Sequence, residues 1–140
     1  MPRLDHTIVH SSDRFAGARF IADLLGTPEP RNLGPFAVVR LDNHAALDYA
    51  EHLVAGKDWL PTHYAFRVTD EEFDAIFARI QKRNVPYWAD PQHSWPQAIN
   101  HLEGGRGVYV HDPDGHNMEF LTTTYTDDFL TSLTPPAQPS

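Results

Sequence analysis

The chain contains no cysteine. That excludes disulfides, thiolate metal sites and cysteine nucleophiles, and it leaves the redox compartment open. No apolar run approaches the roughly 18–20 residues of a membrane span. No signal-peptide pattern precedes the first strand-like segment near Leu4, so a cytoplasmic location and no membrane partner are expected. Basic residues are few, 11 Lys and Arg against 19 Asp and Glu, for a net charge of −8. A phosphate backbone wants a basic face, so this balance argues against nucleic acid. Histidine, by contrast, is plentiful, with nine in 140 residues, and a functional histidine has to be chosen by its position. The length fits one domain with a modest core, and 41% hydrophobic and 21% charged residues are ordinary for a globular protein.

The most informative stretch is Ile99 to Leu121, INHLEGGRGVYVHDPDGHNMEFL. Asp112-Pro113-Asp114-Gly115 predicts a tight turn, because Pro sets φ near −65° and Gly accepts positive φ. The flanking runs Gly107–Val110 and His116–Leu121 read as strands of a hairpin. Strand side chains alternate between faces, so Val108, Val110, Met118 and Phe120 form an apolar face. Tyr109 and His111, with Asn117, Glu119 and Leu121, take the other. A carboxylate on the inner face of a sheet is costly unless it is paired or holds a metal.

The rest of the chain reads as two similar halves. In the first, Leu4–His10 alternates as a strand, with Leu4, His6, Ile8 and His10 on one face. Ser11-Ser12-Asp13 offers helix-capping side chains. A helix follows over Phe15 to Leu25, stopped at Gly26. Thr27–Pro35 reads as a loop, Phe36–Leu41 as a strand, and Ala45–Glu51 as another, in which Asp48 faces away from Leu47 and Tyr49. In the second half, His63–Val68 is a strand with Tyr64, Phe66 and Val68 toward the core and His63, Ala65 and Arg67 opposite. Thr69 and Glu72 fit a capping box, and Phe73, Ile76, Phe77 and Ile80 follow at helical spacing. Pro86 closes that helix, and Tyr87–Ala89 begins a strand. Laid over each other without a gap, His6 falls on His63, Ser12 on Thr69, Asp13 on Asp70, Ala18 on Ala75 and Phe20 on Phe77. The prediction is an α+β fold of two β-α-β-β-(β) modules. Residues 1–124 form one domain, module one covering about 4–60 and module two about 61–124. Residues 125–140 form a partly flexible tail, with a short docking helix around Phe129, Leu130 and Leu133. The Pro-rich segment Asp90–Ala98 could lid a pocket.

His101, Val108-Tyr109, Asp112-Pro113, Gly115 and Glu119 together resemble the signature of the extradiol ring-cleavage dioxygenases. These belong to the vicinal oxygen chelate superfamily, which also contains glyoxalase I and the bleomycin-resistance proteins. The resemblance covers about twenty residues. It implies a curved, half-barrel mixed sheet around a metal-binding cup, and a site in which His6, His63 and Glu119 converge as ligands. Two imidazoles and one carboxylate form the facial triad that leaves positions on Fe(II) open for substrate and O₂. The resemblance further implies that Tyr109 hydrogen-bonds a substrate hydroxyl and that His101 orients or shields that region. Arg67 shares the face of His63 and could pair with an anionic substrate or with a rim carboxylate.

One departure from the family pattern bears on the reaction. The acid–base histidine expected on the last strand of module one is missing. Asp48 stands at the right distance instead, within LDYAEH. Asp48 is then an acid–base group, a fourth metal ligand as in glyoxalase-type relatives, or a structural partner of Arg67 or Arg40. Three functions follow. The first is an Fe(II) extradiol-type dioxygenase acting with O₂ on a catechol-like substrate that chelates the metal. The second is a redox-neutral lyase, isomerase or epimerase of glyoxalase type using Mn(II), Zn(II), Ni(II) or Co(II). The third is a non-catalytic small-molecule binder of the antibiotic-resistance kind, against which the intact triad counts. A homodimer is expected, because two small modules leave sheet edges and apolar surface to cover. Modules of this fold can be exchanged between partners, so the ligands of one site can come from one chain or from two.

Overall fold

The computed structural model describes residues 1–53, 58–124 and 131–132. The chain runs β1 (His6–His10), α1 (Arg14–Leu25), β2 (Arg31–Leu33), β3 (Phe36–Arg40) and β4 (Ala46–Ala50). It continues through β5 (His63–Arg67), α2 (Asp70–Lys82), a single 3₁₀ turn at Leu102–Gly104, β6 (Gly107–His111) and β7 (Asn117–Leu121). The fold is α+β, with one helix in each half. Four strands form a mixed sheet in the order β1-β4-β3-β2, and three form a second in the order β5-β7-β6. In each half the first strand pairs in parallel with the last strand of its module, and every other pairing is antiparallel.

Local chemistry sets the helix ends. Asp13 caps α1 by accepting from Ala16 N at 3.0 Å, which stabilises the helix by about 1 kcal/mol. Thr69 and Glu72 form the reciprocal capping box on α2, each side chain accepting from the other's backbone N–H. The two helices touch, and the Arg79 guanidinium of α2 donates to Leu24 O at 2.9 Å, satisfying an orphan carbonyl in the last turn of α1.

The core is a single apolar cluster. Ala18, Ile21 and Leu24 of α1 join Val9, Val39, Leu47 and Tyr49, while Phe73, Ile76 and Ile80 of α2 join Phe66, Val108, Val110, Met118 and Phe120. The alternation read from the sequence therefore holds in β4, β5, β6 and β7. Each fully buried large side chain contributes on the order of 1.5–3 kcal/mol.

Two expectations are corrected. Thr27–Pro35 is not all loop: Arg31–Leu33 pairs with Val38–Phe36 around Gly34-Pro35. Gly34 at φ 55° followed by Pro is a two-residue hairpin turn, and three residues are too few to show a period. The strand expected at Tyr87–Ala89 is reduced to isolated bridges, Trp88 to Tyr109 and Trp88 to Pro96. Pro86, Pro91 and Pro96 carry no N–H, and this limits any ladder there. No ladder joins the two sheets; they are joined instead through Tyr64 Oη donating to Ile8 O at 3.2 Å and His116 Nε2 to His10 O at 2.7 Å. Phe129, Leu130 and Leu133 lie outside the described residues. No helix among the described residues is long and apolar enough to cross a membrane.

Candidate metal centre

The polar face of the second sheet carries the best-formed cluster. His63 on β5 and Glu119 on β7 come together, with Nε2 2.9 Å from Oε1. Parallel pairing sets Glu119 opposite Ala65, one pleat along from His63, so both side chains rise on the same face. Tyr109 on β6 is the direct cross-strand partner of Glu119, so its ring rises on the same face beside the carboxylate. Burial first, and then the Glu119 charge, raise the Tyr109 phenol well above its ordinary value. It therefore stays protonated as a donor. The His63 ring meets the Tyr109 ring edge-on at 5.7 Å. Glu119 keeps 13% of its side chain exposed and His63 43%, at the floor of an open cleft of about 670 Å³ that also borders Arg67, Leu102, Glu103 and Leu121.

A matching pair sits on the first sheet. Asp48 on β4 is opposite Ile8, so His6 stands one pleat from it, as His63 stands from Glu119. Asp48 is only 8% exposed and has no hydrogen bond or ion pair among the described residues, so neither Arg40 nor Arg67 neutralises it. Its charge reaches His6. The His6 pKa is raised, first by the hydrogen bond to Asp5 and then by Asp48. His6 Nδ1 lies 2.6 Å from Asp5 Oδ2, a contact that orients the ring and leaves Nε2 free.

Among the described residues, no three His, Asp or Glu side chains could hold one metal ion. The expected convergence of His6 with His63 and Glu119 is thus not met within one chain. The chain presents two half-sites instead, His6 with Asp48 and His63 with Glu119. The donor set still fits a metal. Ligands bound near 2.1 Å at right angles stand about 3 Å apart, which is the His63–Glu119 separation.

The chain is similar to several proteins. It is 32% identical over 120 residues to the glutathione transferase FosA of Serratia marcescens, covering 83% of this chain and 77% of that protein. The chain belongs to the vicinal oxygen chelate superfamily. Among solved structures, oxidase ChaP-H1 is 52% identical, with a TM-score of 0.84 over 89% of this chain and 98% of its own. Oxidase ChaP-H2 is 47% identical with a TM-score of 0.83, over 89% and 95% respectively. The lactoylglutathione lyase of Agrobacterium tumefaciens shares the fold at 16% identity and a TM-score of 0.64, over 85% and 92%. No protein-family model matches. These relatives are enzymes of a superfamily that typically uses a divalent metal.

Other expected residues fare differently. His101 is exposed and precedes the 3₁₀ turn. It neither borders the cleft nor makes a hydrogen bond among the described residues, whereas its neighbours Leu102 and Glu103 do border the cleft. The Asp90–Ala98 segment lies beside the site: His93 stacks on Trp88 at 3.8 Å and reaches Asn117 Oδ1 with Nε2 at 2.9 Å.

Sequence reasoning missed His116. It is 1% exposed, accepts at Nδ1 from Thr62 N at 2.9 Å, and donates from Nε2 to His10 O at 2.7 Å. It ties β1 to the second module. Its signal was available, since His116 shares strand parity with Met118 and Phe120. Gly115, at φ 85°, makes the turn that presents it.

Proposed function

We propose that the chain is an Fe(II)-dependent extradiol-type dioxygenase, acting with O₂ on a catechol-like substrate, and that its working unit is a homodimer. Each site would pair His63 and Glu119 of one copy with His6 of the other. The carrying observation is the His63–Glu119 pair, 2.9 Å apart, with Tyr109 directly across the ladder from the carboxylate. Supporting it is the second half-site, His6 and Asp48, which repeats the same strand geometry and lacks its complement among the described residues. The similarity to two proteins named oxidases favours oxidative chemistry. A cytoplasmic location belongs to the same reading.

A divalent metal in this setting would supply Lewis acidity toward two neighbouring substrate oxygens and, as iron, a one-electron route to O₂. The protein's own groups do the rest. Tyr109, kept protonated by burial and by Glu119, turns its O–H toward a substrate oxygen and steadies the charge that develops there. Asp48, poorly solvated and unpaired, accepts the second hydroxyl proton of the catechol. The Leu102 and Leu121 side chains line the cleft against a flat ring and limit water around it.

Asp48 also favours a second reading. As a fourth ligand it would leave less room for O₂, and the reaction would be a redox-neutral isomerisation, epimerisation or lyase step with Mn(II), Zn(II), Ni(II) or Co(II). Oxygen uptake by anaerobically iron-loaded protein over a panel of catechols tests the choice. Uptake with a yellow ring-opened product is expected. No uptake across the panel, with a metal-dependent isomerase or lyase assay responding, makes the redox-neutral reading the correct one.

A further inference from the structure

Among the described residues, Arg67 is the one side chain bordering the cleft with a fixed positive charge. It lies on the same face of β5 as His63, four residues on, so the two Cα atoms are about 13 Å apart along the strand. Ala65, between them on that face, leaves the floor flat. Arg67 is exposed to the cleft and makes no ion pair or hydrogen bond among the described residues. Glu103 borders the same cleft and does not pair with it. Arg14, Arg19 and Arg106, by contrast, are each committed to carboxylates. A free guanidinium between apolar walls, in a chain of net charge −8, is not part of a general basic surface.

We propose that Arg67 is an anion anchor, and that the substrate of this cleft is a flat apolar molecule bearing a carboxylate at the end remote from His63 and Glu119. The guanidinium fork matches a carboxylate in two parallel hydrogen bonds. Leu102 and Leu121 enclose the body between the two ends. Glu119, in contact with His63, repels an anion at that end of the cleft and Arg67 attracts it, so the ligand enters in one orientation. The inference rests on the metal-centre reading only for which end of the ligand faces His63 and Glu119.

The test is made on the metal-free full chain, so it does not depend on that reading, whose own failure would show as absent metal uptake. Calorimetric titration compares 2-naphthoate with the neutral 2-naphthalenemethanol on wild type, Arg67→Ala and Arg67→Lys. Wild type should bind naphthoate about tenfold more tightly than the alcohol. Arg67→Ala should remove that preference while leaving alcohol affinity and melting temperature unchanged, and Arg67→Lys should keep part of it. Equal binding of the two probes by wild type, or a preference that survives in Arg67→Ala, overturns the proposal.

Discussion

Tyr109 and Glu119 face each other directly across the β6–β7 ladder, and the charge of the carboxylate helps to hold the phenol protonated. The Glu119 charge on the inner face of the sheet is met by the His63 imidazole at 2.9 Å. In Tyr109→Phe the ring and its packing stay and only the donor goes. Turnover should fall on the order of 10²-fold, with metal stoichiometry close to wild type. Loss of metal with the hydroxyl would instead make Tyr109 a determinant of metal affinity.

Asp48→Asn separates the two enzymatic readings. An acid–base Asp48 predicts retained metal and reduced turnover with a catechol. A fourth-ligand Asp48 predicts weakened metal affinity, measured by competition with a chromogenic chelator.

His116 links the modules through Thr62 N and His10 O. His116→Phe keeps the volume but leaves a buried N–H and a carbonyl without partners. It should cost about 2–3 kcal/mol in denaturant unfolding. A change below about 0.5 kcal/mol, the range of ordinary surface substitutions, would contradict the clamp.

Asp114 ties the turn before β7 to module one, accepting from Ser11 Oγ at 3.1 Å and Ser12 N at 3.0 Å. Although burial acts against it, those hydrogen bonds from Ser12 and Ser11 hold its carboxyl below the usual carboxylate range. A depressed folded-state pKa adds stability above the unfolded value, and that stability is lost as pH falls through the folded value. Asp114→Asn should therefore be less stable than wild type at pH 7, with the difference narrowing below about pH 3.8. Asp112, raised by burial, tilts the opposite way, so the comparison is made between the two proteins rather than on wild type alone. A difference independent of pH would contradict the assignment.

Much of this was legible in the sequence because it is local. The capping box at Thr69 and Glu72, the helical spacing of Phe73, Ile76 and Ile80, and the strand parity uniting Tyr109 with Glu119 depend on neighbours a few residues away. The match of His6 with His63 showed that the two occupy equivalent positions. It could not show whether the two half-sites meet within one chain, because that depends on how whole modules dock. Nor could it show the His116 clamp, whose partners lie 54 and 106 positions away. Tyr87 and Trp88 have strand propensity, but the prolines at 86, 91 and 96 limit the segment to isolated bridges.

The central claim is that one metal site is completed by two copies of the chain. It is tested by metal stoichiometry in mixtures of His6→Ala and His63→Ala protein, unfolded together and refolded. Each variant alone should bind almost no metal. In a mixed dimer, one site loses both histidines and the other keeps both, so the mixture should regain roughly a quarter of wild-type metal. A mixture that binds no more metal than its two components would contradict the shared site.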